Sequence, residues 1–172
     1  EAVSLTSNPT NQTYENYDQV LIIDDNSDIL DYLNIELGNK YRIYQATDGK
    51  SGLDMAIRNI PDLIITDVMM PGLNGYELCE KLKNDPRTNH IPVIIITALS
   101  ESKDKIKGLE IGADDYITKP FNMAILQQRV ENILTNRSKL KKHYDVKETI
   151  PNKIHFEDAF IQQVADKILA HI

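Results

Sequence analysis

Five short runs of strand-forming residues alternate along this chain with stretches whose apolar residues recur at helical spacing, and that alternation leaves little choice of architecture. The runs are Val20-Leu21-Ile22-Ile23, Tyr41-Arg42-Ile43-Tyr44, Leu63-Ile64-Ile65-Thr66, Val93-Ile94-Ile95-Ile96-Thr97 and Tyr116-Ile117-Thr118. The first helical stretch uses Ile29, Leu30, Leu33 and Leu37, with Asn26 or Ser27 as N-cap and Gly38 at its end. The second uses Leu53, Ala56 and Ile57 and stops before Pro61. Later ones carry Tyr76, Cys79 and Leu82, then Ile106 and Leu109, then Leu126, Val130, Ile133 and Leu134. Strand–helix alternation implies right-handed crossovers and a doubly wound, five-stranded parallel sheet of the α/β class. The first, third and fourth runs are apolar throughout, as strands covered on both faces must be, whereas the second and fifth carry Arg42, Tyr44, Asp115 and Tyr116 and suit the edges. Strand order 2-1-3-4-5 satisfies this pattern and places a binding crevice at the carboxyl ends of strands one and three.

The residues at those carboxyl ends carry the chemistry. Asp24-Asp25 follow the first run, Asp67 the third, Thr97 closes the fourth and Lys119 follows the fifth. With neighbouring strands about 4.8 Å apart, three carboxylates, a hydroxyl and an ammonium converge on one rim. An oxygen-only cluster selects a hard cation, and Mg²⁺ fits because it leaves sites open for phosphate oxygens. A carboxylate such as that of Asp67 can then attack phosphorus while Lys119 and Thr97 hold the equatorial oxygens. Singly, each residue has an ordinary use: an Asp can cap a helix, a Thr can pack, a Lys can be solvated. Their coincidence at successive strand ends is what points to phosphoryl transfer.

Three segments, Val20-Leu21-Ile22-Ile23-Asp24-Asp25-Asn26, Asp67-Val68-Met69-Met70-Pro71-Gly72 and Gly112-Ala113-Asp114-Asp115-Tyr116-Ile117-Thr118-Lys119-Pro120-Phe121, resemble the signature segments of the receiver domain of bacterial two-component response regulators, and the similarity covers about residues 18 to 138. The resemblance implies a CheY-like, flavodoxin-like fold in which Asp67 takes phosphate from a histidine kinase. It implies that Asp25 and Asp67 hold Mg²⁺ directly, Asp24 mainly through water, and that Met69 adds its backbone carbonyl. It also implies a cis Lys119-Pro120 peptide and a switch in which Thr97 and Tyr116 move together, changing the partners of the face built from the fourth helix, fifth strand and fifth helix. Regulators of this family often form homodimers through that face; Asp115 and Arg129 match one of the cross-dimer charge pairs, while Ile125 stands where an acidic partner is common. Met69 and Leu99 occupy the two positions that tune loss of the phosphoryl group, and two apolar side chains there predict a long-lived phosphorylated form.

Composition sets the surroundings. A net charge of −7, from 26 acidic and 19 basic residues, argues against non-specific binding to nucleic acid or anionic membrane. The single cysteine, Cys79, falls on an apolar helix phase and fits packing in a reducing compartment, so cytoplasm is expected. No apolar run approaches the roughly 20 residues that span a bilayer, so any inner-membrane anchor would lie elsewhere in a longer protein. Residues 1–17 read as a linker, 18–138 as the receiver and 139–172 as a linker followed by one amphipathic helix. The segment from Ile154 to Ile172 is similar to the entry into an AraC-type helix-turn-helix output domain, as found after receivers in hybrid one-chain systems. Such a piece lacks the recognition helix, so DNA contact is expected only through an output domain outside this chain. The basic run Arg137, Lys139, Lys141, Lys142 and Lys147 reads as a solvated helix end. The start at Glu1 and the stop at His171-Ile172, without helix stop signals, suggest a piece of something longer. His90, His143, His155 and His171 show no metal spacing and are expected to face solvent. No kinase histidine box or ATP-binding glycine loop is visible, so the phosphodonor is another chain or another part of this protein.

Two other functions use similar parts. A phosphatase working through an aspartyl phosphate needs a second Asp two residues after the nucleophile, and Met69 occupies that place. An inert, receiver-shaped interaction module is marked by loss of the acceptor, the acidic pair or the lysine, and all are present here.

Overall fold

The structure, a computed structural model, describes residues 17–98 and 110–148, with side chains to residue 140. Its elements are β1 (Gln19–Ile23), α1 (Ser27–Leu37), β2 (Arg42–Ala46), α2 (Gly49–Asn59), β3 (Leu63–Asp67), α3 (Gly75–Asn84), β4 (Val93–Thr97), β5 (Asp115–Thr118) and α4 (Met123–Glu148). Here α4 is the fifth helical stretch of the sequence. The stretch around Ile106 and Leu109, Leu99, the linker before Tyr17 and the output-like segment from Ile154 lie outside the described residues, as do the side chains of His143, Lys141, Lys142 and Lys147.

All pairings are parallel and the sheet order is β2-β1-β3-β4-β5, as the strand composition requires. Successive strand residues point to opposite faces, so each apolar strand feeds two cores. Leu21, Ile23, Ile64, Val93 and Ile95 pack on one face with Ala56 of α2 and Leu78, Cys79 and Leu82 of α3. Val20, Ile22, Leu63, Ile65, Ile94 and Ile96 pack on the other with Leu30, Leu33 and Leu37 of α1 and Leu126, Val130 and Leu134 of α4. Complete burial of each such side chain contributes about 1.5–3 kcal/mol, which is why Val20–Ile23 of β1, Leu63–Ile65 of β3 and Val93–Ile96 of β4 are all apolar.

Local chemistry sets the boundaries. The Asn26 side chain caps α1 by accepting from Asp28 N at 2.9 Å. Gly38 ends that helix but stays right-handed at φ −65°, with its N–H still bonded to Asn34 O, so it is not the left-handed cap its identity suggests. The left-handed cap falls instead on Ile60 at the end of α2, φ 46°, where Pro61 disfavours the right-handed region for the residue before it and so ends the helix. A β-branched residue held there costs roughly 1–2 kcal/mol. The second strand begins one residue later than expected, at Arg42, since Tyr41 N donates to Leu37 O at 3.0 Å and so belongs to the turn. Asn74 and Glu77 start α3 with a reciprocal capping box.

The chain divides after Leu134 into two units. The described part of the second is the remainder of α4, with Lys139 and Leu140 exposed. No helix among the described residues is long and apolar enough to cross a membrane.

Candidate functional site

Asp24 follows β1 directly, Asp25 comes next, and Asp67 is the last residue of β3. Because β1 and β3 are neighbours in register, their ends deliver one carboxylate oxygen from each of the three, all within 4.8 Å of one another. Asp24 and Asp67 are buried and Asp25 is exposed. Asp24 Oδ1 accepts from Asn26 N at 2.9 Å, so the loop that caps α1 also orients the carboxylate. Asp67 Oδ2 accepts from Met69 N at 3.1 Å, whereas Oδ1 is buried without a hydrogen bond.

The balancing charge comes from the far side of the sheet. Lys119 N donates to Thr97 O at 2.7 Å, which ties the residue after β5 to the end of β4, and the Lys119-Pro120 peptide is cis, as expected. The ammonium lies 2.9 Å from Asp24 Oδ2 and 3.2 Å from Asp67 Oδ1. The second contact is an ion pair without hydrogen-bond geometry, which is why Oδ1 remains unsatisfied. Burial works to lower the Lys119 pKa, but the hydrogen bond and charge of Asp24, with Asp67 beside them, outweigh it and raise it, so the lysine stays protonated. Burial pushes the Asp67 carboxyl above its ordinary range, with Lys119 opposing and Asp24 adding to the rise. Thr97 is fully buried at the end of β4.

The donor set fits a hard divalent ion. Three carboxylates, no His or Cys, and one buried oxygen lacking a hydrogen bond describe a place where anions are held together against their repulsion with a ligand position to spare. Met69, named for its carbonyl, has an exposed side chain, 58% accessible, at the edge of the site.

The first two residues of α3 add to the acceptor's surroundings. Gly75, the first residue of α3, lies so close to Asp67 that a Cβ would come 2.1 Å from the Asp67 carbonyl oxygen and 2.9 Å from Val68 Cα. Tyr76 is buried, and its hydroxyl is 3.3 Å from that of Tyr116. The helical period identifies Tyr76 as inward-facing, but its partner lies 40 residues away and leaves no local signal. Asp115 and Arg129, the candidate cross-dimer pair, form an ion pair with each other within one chain. Ile125 is exposed on α4. Cys79 is fully buried and its thiol is pushed up to about 11 by burial, in keeping with a packing role. His90, the histidine whose side chain is described, is exposed as expected.

The family model of the response regulator receiver domain matches residues 20–131. The chain is 43% identical over 136 residues to Histidine kinase P4 of Formosa agariphila, covering 78% of this chain and 10% of that protein. It is 45% identical over 116 residues to the response regulator PleD of Caulobacter vibrioides, covering 67% of this chain and 26% of that one. This chain thus spans about a quarter or less of these two relatives. Among solved structures it is similar to the chemotaxis protein CheY4 of Vibrio cholerae, with a TM-score of 0.65 and 27% identity over 68% of this chain and 98% of that one. The sheet order, the acidic rim with its lysine and these matches agree that the chain belongs to the response regulator receiver domain family, which works in two-component phosphorelay signalling.

Proposed function

We propose that Asp67 is the residue that accepts the phosphoryl group, taking it from the phosphohistidine of a histidine kinase. An Asp67 oxygen forms the new P–O bond as the P–N bond breaks and the imidazole leaves. Asp25 and Asp67, with the Met69 carbonyl and with Asp24 mainly through water, would hold Mg²⁺, which when bound would supply the positive charge that lets two anions approach one another. The Lys119 ammonium, already drawn to the acceptor, and the Thr97 hydroxyl hold the oxygens on which charge spreads. The observation that carries this reading is Asp67 Oδ1: buried, without a hydrogen bond, 3.2 Å from Lys119 Nζ and clustered with two other carboxylates.

The switch follows from the same site. Thr97 and Tyr116 change position together, and the face containing β5 and α4 changes its partners. A homodimer through that face would use the exposed Ile125 and would require Asp115 and Arg129 to reach across the interface instead of to each other. Residues 18–138 form the receiver and residues 139–172 lead into an output domain of the AraC type, through which DNA would be reached. The likeness to a histidine kinase supports a hybrid, one-chain system with its receiver in the cytoplasm.

The test is intact mass after incubation with Mg²⁺ and acetyl phosphate, for the chain and for Asp67→Ala. A gain of one phosphoryl group by the first and none by the second is expected. Equal gain by both would move the acceptor elsewhere, and no gain by either would leave an inert interaction module.

A further inference from the structure

Asp67 and Tyr116 stand on strands separated by β4, yet helix α3 joins them by a second route. The helix starts on the acceptor's own backbone. Gly75 N donates to Val68 O at 3.1 Å, and the Gly75 Cα is close enough to the Asp67 carbonyl that no side chain fits between them. Tyr76 comes immediately after it. Its N–H, like that of Glu77, donates to the Asn74 side chain, so the capping box fixes Tyr76 relative to Gly75. Its ring is buried in the core on the α2 and α3 side of the sheet, where Tyr116 also packs, and the two hydroxyls meet at 3.3 Å. In such apolar surroundings a hydroxyl pair is directional, so a displacement of one phenol is felt by the other.

We propose that Tyr76 is a positioning residue that transmits displacement of the Asp67 peptide, through Gly75, to Tyr116. The inference rests on Asp67 being the phosphoryl acceptor. A change in the Asp67–Val68 backbone moves the start of α3, α3 carries the Tyr76 hydroxyl, and the hydroxyl draws on β5. The route runs alongside β4 and does not require Thr97. It assigns a signalling role to a side chain whose helical phase otherwise marks it as core alone.

The experiment uses the chain with Mg²⁺ and acetyl phosphate, and three variants: Tyr76→Phe, Tyr116→Phe and the double substitution. Each removes a hydroxyl and keeps the ring. Intact mass reports phosphoryl uptake, and hydrogen exchange of the β5 amides, Asp115 to Thr118, reports the response with and without acetyl phosphate. All four proteins should take up the phosphoryl group at rates within about twofold of one another, because no variant touches the acidic rim. The phosphorylation-dependent change at β5 should fall about fivefold in Tyr76→Phe, the population shift expected for one lost hydrogen bond. Tyr116→Phe should lose as much, and the double variant no more than either. A full β5 response in Tyr76→Phe with uptake intact would overturn the proposal, as would additive losses in the double variant. Absence of uptake by the unaltered chain would instead overturn the acceptor reading, and this inference with it. A purely structural role would lower the thermal stability of Tyr76→Phe while leaving the β5 difference unchanged.

Discussion

Gly75→Ala is the substitution whose consequence the structure specifies most closely. Gly75 is helical, so a methyl group there should by itself favour the helix by about 1 kcal/mol. The methyl, however, would lie 2.1 Å from the Asp67 carbonyl oxygen and 2.9 Å from both the Asp67 carbonyl carbon and Val68 Cα, all of them backbone atoms. Even a tight 3.0 Å contact demands a relative shift of 3.0 − 2.1 = 0.9 Å. Overpacking of this kind costs up to about 3 kcal/mol, so the net loss is about 2 kcal/mol, or a fall in Tm of roughly 5–10 °C. The displaced atoms belong to the acceptor itself, and a misplacement of about 1 Å at a reacting group costs on the order of a hundredfold in rate. The assay is the rate of phosphoryl gain from acetyl phosphate by intact mass, alongside thermal unfolding. Gly72→Ala is the control. At φ +79° with nothing within 4 Å, it meets backbone strain without a clash, so it should lose about 1–2 kcal/mol of stability while keeping its rate within about threefold. Phosphorylation of Gly75→Ala at the unaltered rate would refute the argument, because the contact would then relax without moving the carboxylate.

Two further outcomes concern buried groups. In EDTA, Asp67→Asn should melt at a higher temperature than the unaltered chain, because burial and the neighbouring Asp24 disfavour the Asp67 carboxylate; the advantage should vanish in Mg²⁺, and a lower melting temperature in EDTA would contradict the charge argument. Cys79, with its thiol raised from 9.0 to about 11, should have a thiolate fraction of about one in a thousand at pH 8, and should react with a disulfide reagent more than about a hundredfold faster after unfolding in guanidinium. Its preference for the neutral thiol supports the fold fully below pH 9.0 and is lost as pH rises towards about 11, which a pH series of unfolding midpoints would check.

The parts legible in the sequence are those whose cause is local or periodic. The run Val93 to Thr97 coincides with β4 because Pro92 precedes a segment buried on both faces. Strand order is readable from which runs can bear polar residues, and the site from the polar side chains at the carboxyl ends of four of the five runs. The start of β2 slips by a residue because Tyr41 has strand-like chemistry but commits its N–H to the end of α1. The route from Gly75 through Tyr76 to Tyr116 is invisible in the sequence for a different reason. A glycine after a turn-forming Asn reads as turn chemistry, and only the folded backbone shows that Asp67 occupies the space a side chain would need.

The three carboxylates and the ammonium that balances them enter the fold from different halves of the sequence. Asp24, Asp25 and Asp67 are all in place once β2, β1 and β3 have paired, whereas Lys119 reaches Asp24 across a separation of 95 residues. During synthesis all three carboxylates are therefore made before their counterion, and contacts of such long range are the slow ones to form. The same order governs dissection: a fragment cut between β4 and β5 keeps all of the rim's negative charge and none of the Lys119 compensation. The indivisible unit of this receiver is thus defined by charge balance as much as by its apolar core, and it must extend past Lys119.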